Sequence, residues 1–138
     1  MLEQIKDLKE KGDFGAISRL ILYAGVIGLE CDVKDGAMVT RLKPLESNVH
    51  NYQMGVLHEG TVAALLEHAA KFQLLYEMDV LALPCIINIY VDYLRPSKVA
   101  DAFTSAILVK QGKRIANVRI QAWQGELAKF VAMAHAHF

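Results

Sequence analysis

The chain has 138 residues, 54% of them hydrophobic, and its 15 Lys and Arg residues equal its 15 Asp and Glu residues. This length fits one domain, because two domains would each be too small for a sizeable core. The apolar content excludes an intrinsically disordered chain, and the zero net charge argues against a protein built mainly to bind nucleic acid or anionic lipid. Weak charge repulsion between copies favours self-association.

The start of the chain and its cysteines favour a cytoplasmic protein. Seven of the first thirteen residues are charged, which is unlike a signal peptide. The longest strongly apolar stretch, residues 80–91, contains Pro84 and Asn88 and is too short to insert across a membrane. Cys31 and Cys85 have neither metal-binding nor redox-pair spacing, so we expect both to be buried, reduced thiols.

The first half of the chain predicts two short helices, two strands joined by a turn, and a polar loop. Helical spacing of apolar residues and strand-like alternation indicate these elements. They are helices over residues 2–10 and 14–24, strands over 26–33 and 38–42, and a loop over 44–53.

The second half predicts one long helix followed by four strands. These are a helix over residues 57–76 and strands over 86–94, 102–110, 113–123 and 127–138. The dipeptide Gln111-Gly112 predicts a two-residue hairpin turn between two of the strands. Because the strands follow one dominant helix, we expect a single α+β domain over residues 1–138, with an antiparallel sheet packed on that helix.

The long helix carries a carboxylate in apolar surroundings. Glu67 and His68 are the only polar residues between positions 62 and 70, and alanines lie one turn from Glu67. Small neighbours leave room for a substrate, so Glu67 is a candidate general base or nucleophile. The alternative is an exposed helix pair between Glu67 and Lys71 at i+4. For His68 we expect a position on the polar face or a packing role, and not a catalytic one.

The start of the same helix offers a second candidate group. Free backbone N–H groups at a helix N-terminus can polarise a carbonyl or hold an anion. Glu59 precedes Glu67 by eight residues, or about 12 Å along a helix. One copy therefore cannot bring both groups to the same small carbonyl, and a catalytic site would need a second copy with an antiparallel helix.

These residues form a familiar pattern. Gly55, His58 and Gly60 open a long Ala/Leu-rich helix, with an acid nine residues after the histidine, and residues 91–97 read Val-Asp-Tyr-Leu-Arg-Pro-Ser. The pattern resembles the hotdog-fold acyl-CoA thioesterases, in particular their PaaI-like branch. The resemblance extends from about residue 14 to residue 138. It implies a sheet wrapped around one central helix, with short helices at the N-terminus.

The resemblance also implies roles for individual residues. Glu67 matches the catalytic acid, which activates water or attacks the thioester carbonyl. Glu59 matches the first glycine of the usual His-Gly-Gly, whose backbone N–H polarises that carbonyl together with Gly60. A Glu side chain here adds bulk and negative charge near the developing oxyanion. Relatives commonly have an Asn where this chain has Tyr52, so Asn51 would take its place after a one-residue insertion.

Further departures and binding residues follow from the same resemblance. Gln53 is a substitute for Asn51, and Ile86 stands where some relatives have a serine. Members of the family bind coenzyme A across a subunit boundary, with basic side chains near its phosphates. Candidates for substrate binding are Gln53, His58, Arg95, Lys98, Lys110, Lys113 and Arg114. The alternative for each basic residue is a solvated turn position.

The expected function is hydrolysis of a small-to-medium acyl-CoA by a homodimer, or by two dimers joined as a homotetramer. This chemistry requires no metal and no cofactor apart from the coenzyme A of the substrate. His135 and His137 alternate on the last strand without an evident third ligand, so we expect no metal site. The alternatives are a non-catalytic protein that binds acyl-CoA or lipid, favoured by the departures at Glu59, Tyr52 and Ile86, and a hotdog dehydratase or hydratase.

Overall fold

The computed structural model describes residues 1–79 and 82–138. Its helices are α1 (Leu2–Glu10), α2 (Phe14–Leu20), α3 (Leu22–Val26) and α4 (Glu59–Glu77), with a 3-10 turn at Glu46–Asn48. Two residues of the predicted apolar stretch, positions 80 and 81, lie outside the described residues. No described helix is both long and apolar enough to cross a bilayer.

The predicted helix over residues 14–24 is two helices. The backbone becomes extended at Ile21, with ψ of 99°, and a separate short helix then continues to Val26. The predicted strand over 26–33 consequently begins three residues later. Gly28 makes this start possible, because its φ is +75° and a Cβ there would lie 2.8 Å from Leu45 Cδ1.

Six strands form one antiparallel sheet, and two short strands form a separate hairpin. The strands are β1 (Leu29–Lys34), β2 (Ala37–Leu42), β3 (Val49–Asn51), β4 (Val56–Leu57), β5 (Asn88–Tyr93), β6 (Ala102–Gln111), β7 (Ala116–Trp123) and β8 (Phe130–His137). The order in the sheet is β1-β2-β6-β7-β8-β5, and β3 pairs with β4. This small hairpin lies within the region predicted as a polar loop.

The inner face of the sheet packs against α4. Alternate residues of β7 are fully or nearly buried, including Val118 and Ile120, and they share one core with Leu65 and Leu66 of the helix. Alanines on the inner faces of β7 and β8 leave space for the helix to approach the sheet. The expected α+β hotdog architecture is confirmed, with the long helix two residues later than predicted at its start.

The turn between β6 and β7 differs from the predicted two-residue turn. Gln111 pairs with Ala116, and the Gly112 N–H donates to the Ile115 carbonyl at 2.8 Å, so four residues form the connection. A register shift after Leu108 moves the pairing by one residue. The Gln-Gly dipeptide therefore lies at the start of the connection and does not form it alone.

The two cysteines have different environments. Cys31 is buried, its thiol donates to the Phe14 carbonyl at 3.0 Å, and burial raises its pKa to about 12. Cys85 is exposed, so the prediction of two buried thiols is confirmed for Cys31 and wrong for Cys85. Cys85 lies in the segment between α4 and β5, outside the packed layers of helix and sheet.

Candidate active site

A side-chain cap closes the first turn of α4. His58 is the N-cap residue, and its Nδ1 accepts a hydrogen bond from the Gly60 N–H at 2.9 Å. A Cβ on residue 60 would lie only 2.9 Å from the same nitrogen. A Cβ at position 60 would therefore push the His58 ring out of this cap, whereas position 59 accommodates a Glu side chain. The acidic residue at 59 is also favourable in the first helical turn.

The backbone N–H of Glu59 has no hydrogen-bond partner among the described residues. Among the hydrogen bonds of the described residues, none has the Glu59 N–H as donor, while the Gly60 N–H is held by His58. Glu59 lines a cavity of about 280 Å³ between the first turn of α4 and residues 93–97 at the end of β5. Glu59, whose backbone N–H has no partner among the described residues, is therefore one of the residues that line this cavity.

Tyr93 connects β5 to this first helical turn. Its hydroxyl donates to the Glu59 backbone carbonyl at 3.1 Å, and the tyrosine lines the same cavity. Burial, and secondarily the charge of Glu59, raises the pKa of Tyr93. The hydroxyl is therefore protonated at neutral pH and can act as the donor in this contact.

A buried asparagine supports the residues that enter α4. Asn48 is only 1% exposed, and its Nδ2 donates to the carbonyls of Ile27 at 2.7 Å and Lys43 at 3.1 Å. The backbone carbonyl of Asn48 accepts a hydrogen bond from the His58 backbone N–H at 2.8 Å. Sequence reasoning missed Asn48, whose only signal was a polar residue in a loop that carries the motif.

Glu67 lies farther along α4, away from the cavity at its start. Its carboxylate pairs with Lys71 Nζ at 2.5 Å, and the two side chains are 28% and 19% exposed. The i,i+4 pair is therefore present, but both side chains are partly buried and not exposed as that alternative expected. Glu67 is not among the residues that line the cavity beside Glu59. Glu59 and Glu67 are eight residues apart, or about 12 Å along the helix, which is why Glu67 lies outside this cavity.

His68 has the expected packing role. It is 6% exposed, and its Nδ1 lies 2.8 Å from the Ala64 carbonyl. Because a carbonyl only accepts, Nδ1 carries the proton. Burial lowers the pKa of His68, which favours the neutral ring. The ring centroid is 5.9 Å from that of Tyr23, which shows that α3 lies alongside α4.

The predicted amide side chains lie in the turn of the β3–β4 hairpin. Asn51 Oδ1 accepts from the backbone N–H groups of Gln53 at 2.8 Å and Met54 at 3.3 Å. This is the bonding of a turn-forming asparagine. Gln53 is exposed and is not among the residues that line the cavity beside Glu59.

The predicted basic residues fall into two groups at opposite ends of α4. Arg95 lines the cavity beside Glu59, and its Nη1 donates to the Phe130 carbonyl at 2.5 Å. Lys98 is exposed nearby, and Gln124 Oε1 accepts from its backbone N–H at 2.8 Å. Lys113 and Arg114 instead line a different cavity, next to the last turn of α4.

The two C-terminal histidines do not form a metal centre with a third residue that the structure describes. His137 Nδ1 lies 2.7 Å from Asn88 Oδ1, and His135 is exposed on the same strand. Across residues 1–79 and 82–138, no three His, Cys, Asp or Glu side chains come together in a metal-binding arrangement.

An antiparallel sheet around one long helix, with a capped helix start beside a cavity, defines the hotdog class of protein. A sequence model of the acyl-CoA thioesterase N-terminal domain matches residues 49–137. The chain therefore belongs to the acyl-CoA thioesterase N-terminal domain family, in agreement with the resemblance in its motifs. A search of curated proteins finds no match.

Solved structures have the same fold over nearly the whole chain. A protein from Chromobacterium violaceum is 29% identical, with 99% of this chain and 95% of that one covered and a TM-score of 0.79. A phenylacetic acid degradation-related protein from Ralstonia eutropha is 21% identical, with coverage of 90% and 96% and a TM-score of 0.75. A Bacillus halodurans protein solved with CoA is 22% identical, with coverage of 99% and 90% and a TM-score of 0.73.

Proposed function

We propose that this protein hydrolyses the thioester of an acyl-CoA. The observation that carries the proposal is the unpartnered N–H of Glu59, a residue that lines a cavity at the start of α4 in a chain of the acyl-CoA thioesterase family. Such a donor, in a helix-dipole field, stabilises negative charge that develops on a carbonyl oxygen. The Bacillus halodurans relative, which was solved with CoA, supports CoA as the thiol part of the substrate.

Glu67 is the group proposed to drive the reaction. As general base it takes a proton from water, the water oxygen bonds to the thioester carbon, and collapse of the intermediate breaks the C–S bond. The proton then goes to the CoA thiolate, which leaves as the thiol. As nucleophile, Glu67 would bond to the same carbon first, and water would release the acid in a second step. Neither route needs a metal or a redox cofactor.

A second copy of the chain would complete the site. Glu67 and Glu59 are about 12 Å apart along one helix, so they cannot reach the same thioester carbon from one copy. The cavity of about 280 Å³ beside Glu59 is also slightly smaller than the roughly 300–1,000 Å³ of typical ligand sites. We therefore propose a homodimer in which Glu67 of one protomer faces the Glu59 N–H of its partner. Arg95 and Lys98 lie near enough to this cavity to contribute to CoA binding.

Non-catalytic binding of acyl-CoA is the second candidate. Two observations favour it: His58 already occupies the Gly60 N–H, and a carboxylate side chain is present at position 59. In the catalytic proposal the Glu59 N–H acts first, and the Gly60 N–H joins only if the His58 ring turns away. A binding protein would be stabilised thermally by acyl-CoA without releasing free CoA.

The test is thioester hydrolysis by wild type, Glu67→Gln and Lys71→Gln, followed with a thiol reagent over acyl-CoAs of increasing chain length. Both variants break the Glu67–Lys71 pair, but only Glu67→Gln removes the carboxylate. We expect hydrolysis by wild type and Lys71→Gln, and a loss of at least about 100-fold in Glu67→Gln. Equal rates in wild type and Glu67→Gln would remove the role proposed for Glu67. Thermal stabilisation without any thiol release would support the binding protein instead.

A further inference from the structure

The segment that follows β5 forms one wall of the cavity beside Glu59, and both ends of this segment are anchored. Residues 94–97 line the cavity. At the start of the segment, the backbone N–H groups of residues 94 and 95 both donate to the Val131 carbonyl, at 2.9 and 3.2 Å. At its far end, the side chain of Gln124 holds residues 98–100. The cavity wall therefore lies between one backbone anchor and one side-chain anchor.

The side-chain anchor consists of three hydrogen bonds made by Gln124, the residue that follows β7. Its Oε1 accepts from the Lys98 N–H at 2.8 Å, and its Nε2 donates to the carbonyls of Lys98 at 2.8 Å and Ala100 at 3.1 Å. The next residue is Gly125, whose φ of +70° turns the chain at this point. Both the donor and the acceptor of the Gln124 amide are therefore engaged in one contact.

The anchored segment also pairs with the strand that leads into α4. Lys98 forms an antiparallel bridge with Val56 of β4, and the Leu57 N–H donates to the Ser97 carbonyl at 2.8 Å. The residue after Leu57 is His58, the N-cap of the helix. The cavity wall is thus linked directly to the start of the helix that carries the proposed donor.

We propose that Gln124 is a positioning residue for thioester hydrolysis. Its hydrogen bonds fix the cavity wall relative to the first turn of α4, so that a thioester carbonyl held against the wall meets the Glu59 N–H. This role rests on the proposed function, because that N–H is the group proposed to polarise the carbonyl. Gln124 does not itself line the cavity. It can nevertheless control the rate, because a misplacement of about 1 Å that originates outside a site can cost about 100-fold.

The experiment compares wild type with Gln124→Leu, Gln124→Glu and Gln121→Leu. Leucine makes none of the three hydrogen bonds, whereas glutamate keeps the acceptor for the Lys98 N–H and has no donor for the two carbonyls at neutral pH. Gln121 is the matched control, because it lies three residues earlier on β7 and is also partly exposed. Among the described residues, its side chain makes no hydrogen bond to the cavity wall.

Two readouts separate a positioning role from a general loss of stability. Amide hydrogen exchange measured by NMR follows the Leu57 N–H, which is bonded to the anchored segment, and the Ile120 N–H in the middle of the sheet, which reports opening of the whole fold. Steady-state hydrolysis with a thiol reagent separates kcat from KM. Loss of an interaction made only in the transition state lowers kcat and leaves KM nearly unchanged.

We expect the Leu57 N–H to exchange at least about tenfold faster in Gln124→Leu than in wild type, with a smaller change at Ile120. In the same variant kcat should fall about tenfold while KM changes by less than about twofold. Gln124→Glu should show smaller changes of the same kind, because it keeps one of the three hydrogen bonds. Gln121→Leu should match wild type in every measurement.

Three results would overturn this role: a wild-type kcat in both Gln124 variants, faster exchange of the Leu57 and Ile120 amides by the same factor, or an equal loss of kcat in Gln121→Leu. A wild-type kcat together with faster exchange at Leu57 would make Gln124 a structural residue only. Failure of the proposed function is a different observation, namely no thiol release by wild type, which would remove the reaction that Gln124 is proposed to serve.

Discussion

His58 Nδ1 accepts the Gly60 N–H at 2.9 Å, so the histidine of the family motif acts here as the cap of the central helix. The contact accounts for two features of the motif at once. It satisfies one of the free donors of the first turn, and it places the His58 ring where a Cβ on residue 60 would displace it. The neighbouring Glu59 N–H has no partner among the described residues, and Glu59 lines the cavity.

Removal of the cap should destabilise the protein measurably. We expect His58→Ala to lower the free energy of unfolding by about 1 kcal/mol, the usual cost of losing a side-chain cap. His58→Asn should retain most of the stability, since Asn is a favoured N-cap residue. Urea denaturation of the three proteins measures the effect. Equal stability of wild type and His58→Ala would show that the contact contributes nothing.

We expect Tyr93 to act as a positioning residue for Glu59, whose N–H is the donor proposed to polarise the thioester carbonyl. Tyr93→Phe removes the hydroxyl that donates to the Glu59 carbonyl, and one such bond contributes about 0.5–1.5 kcal/mol. We expect kcat to fall by about threefold to tenfold, while KM changes little. Steady-state hydrolysis separates the two constants. Tyr90→Phe is the matched control, because Tyr90 lies on the same strand and is 70% exposed; an equal loss in both variants would contradict the positioning role.

Asn48 should matter more for stability than Asn51, although both are asparagines close to the motif. Asn48→Ala leaves the buried Ile27 carbonyl without its donor, which costs about 1–3 kcal/mol, whereas the Lys43 carbonyl still accepts from the Leu45 N–H. Asn51→Ala affects only a partly exposed turn. Urea midpoints give the comparison. The structural role of Asn48 would be refuted if both variants lost the same stability.

Buried His68 should make the protein less stable in acid. Burial lowers its pKa in the folded state below about 6.5, the value for an unfolded chain. Its neutral form therefore contributes stability that is present above pH 6.5 and is lost as pH falls through the lowered pKa, because the unfolded chain then binds more protons. Glu67 and Lys71 beside it have smaller, opposing effects on this pKa.

The comparison of wild type with His68→Leu isolates this contribution, since leucine cannot titrate. We expect the urea midpoint to fall less in the variant than in wild type between pH 7.5 and pH 5.5. Circular dichroism at both pH values provides the measurement. A steeper or identical fall in His68→Leu would mean that other groups cause the pH dependence.

Much of the architecture was predictable because periodic burial determines it. The long helix and the β1–β2 pair match strong apolar patterns, and the alternation in β7 shows which face packs on the helix. The break at Ile21 was not predictable, because the apolar spacing continues through it while one backbone angle changes. The four-residue turn after Gln111 depends on a register shift in the partner strand, which local dipeptide preference does not contain.

The candidate site was predictable in its residue types and less so in its contacts. The sequence placed Glu59 and Glu67 on one helix, and their spacing predicted their separation along it, while the roles that the motif implies for them stay predictions. Nothing in the sequence predicted that His58 would occupy the Gly60 N–H or that Asn48 would hold the entry to the helix. Such contacts depend on how loops from distant parts of the chain meet, as with Asn48 and Ile27.

The Glu59 N–H, the donor proposed to polarise the thioester carbonyl, can be removed with little change to the helix, and a second variant separates its effect from that of the Glu59 side chain. Glu59 is the first residue of α4, where proline is favoured, and His58 has the extended backbone that precedes a proline, with ψ of 131°. Glu59→Pro therefore eliminates the free N–H with little expected disruption of the helix. Glu59→Ala removes the carboxylate but retains the N–H, and serves as the matched control.

The most direct test of the shared site is the activity of mixed dimers of Glu67→Gln and Glu59→Pro. Each variant alone should be at least about 100-fold less active than wild type, while Glu59→Ala should retain activity. After the two inactive proteins are unfolded and refolded together in equal amounts, half of the dimers are mixed and each has one intact site. Activity should then return to about a quarter of the wild-type value. Full loss in both variants with no recovery on mixing would contradict a site built from Glu67 of one protomer and the Glu59 N–H of its partner.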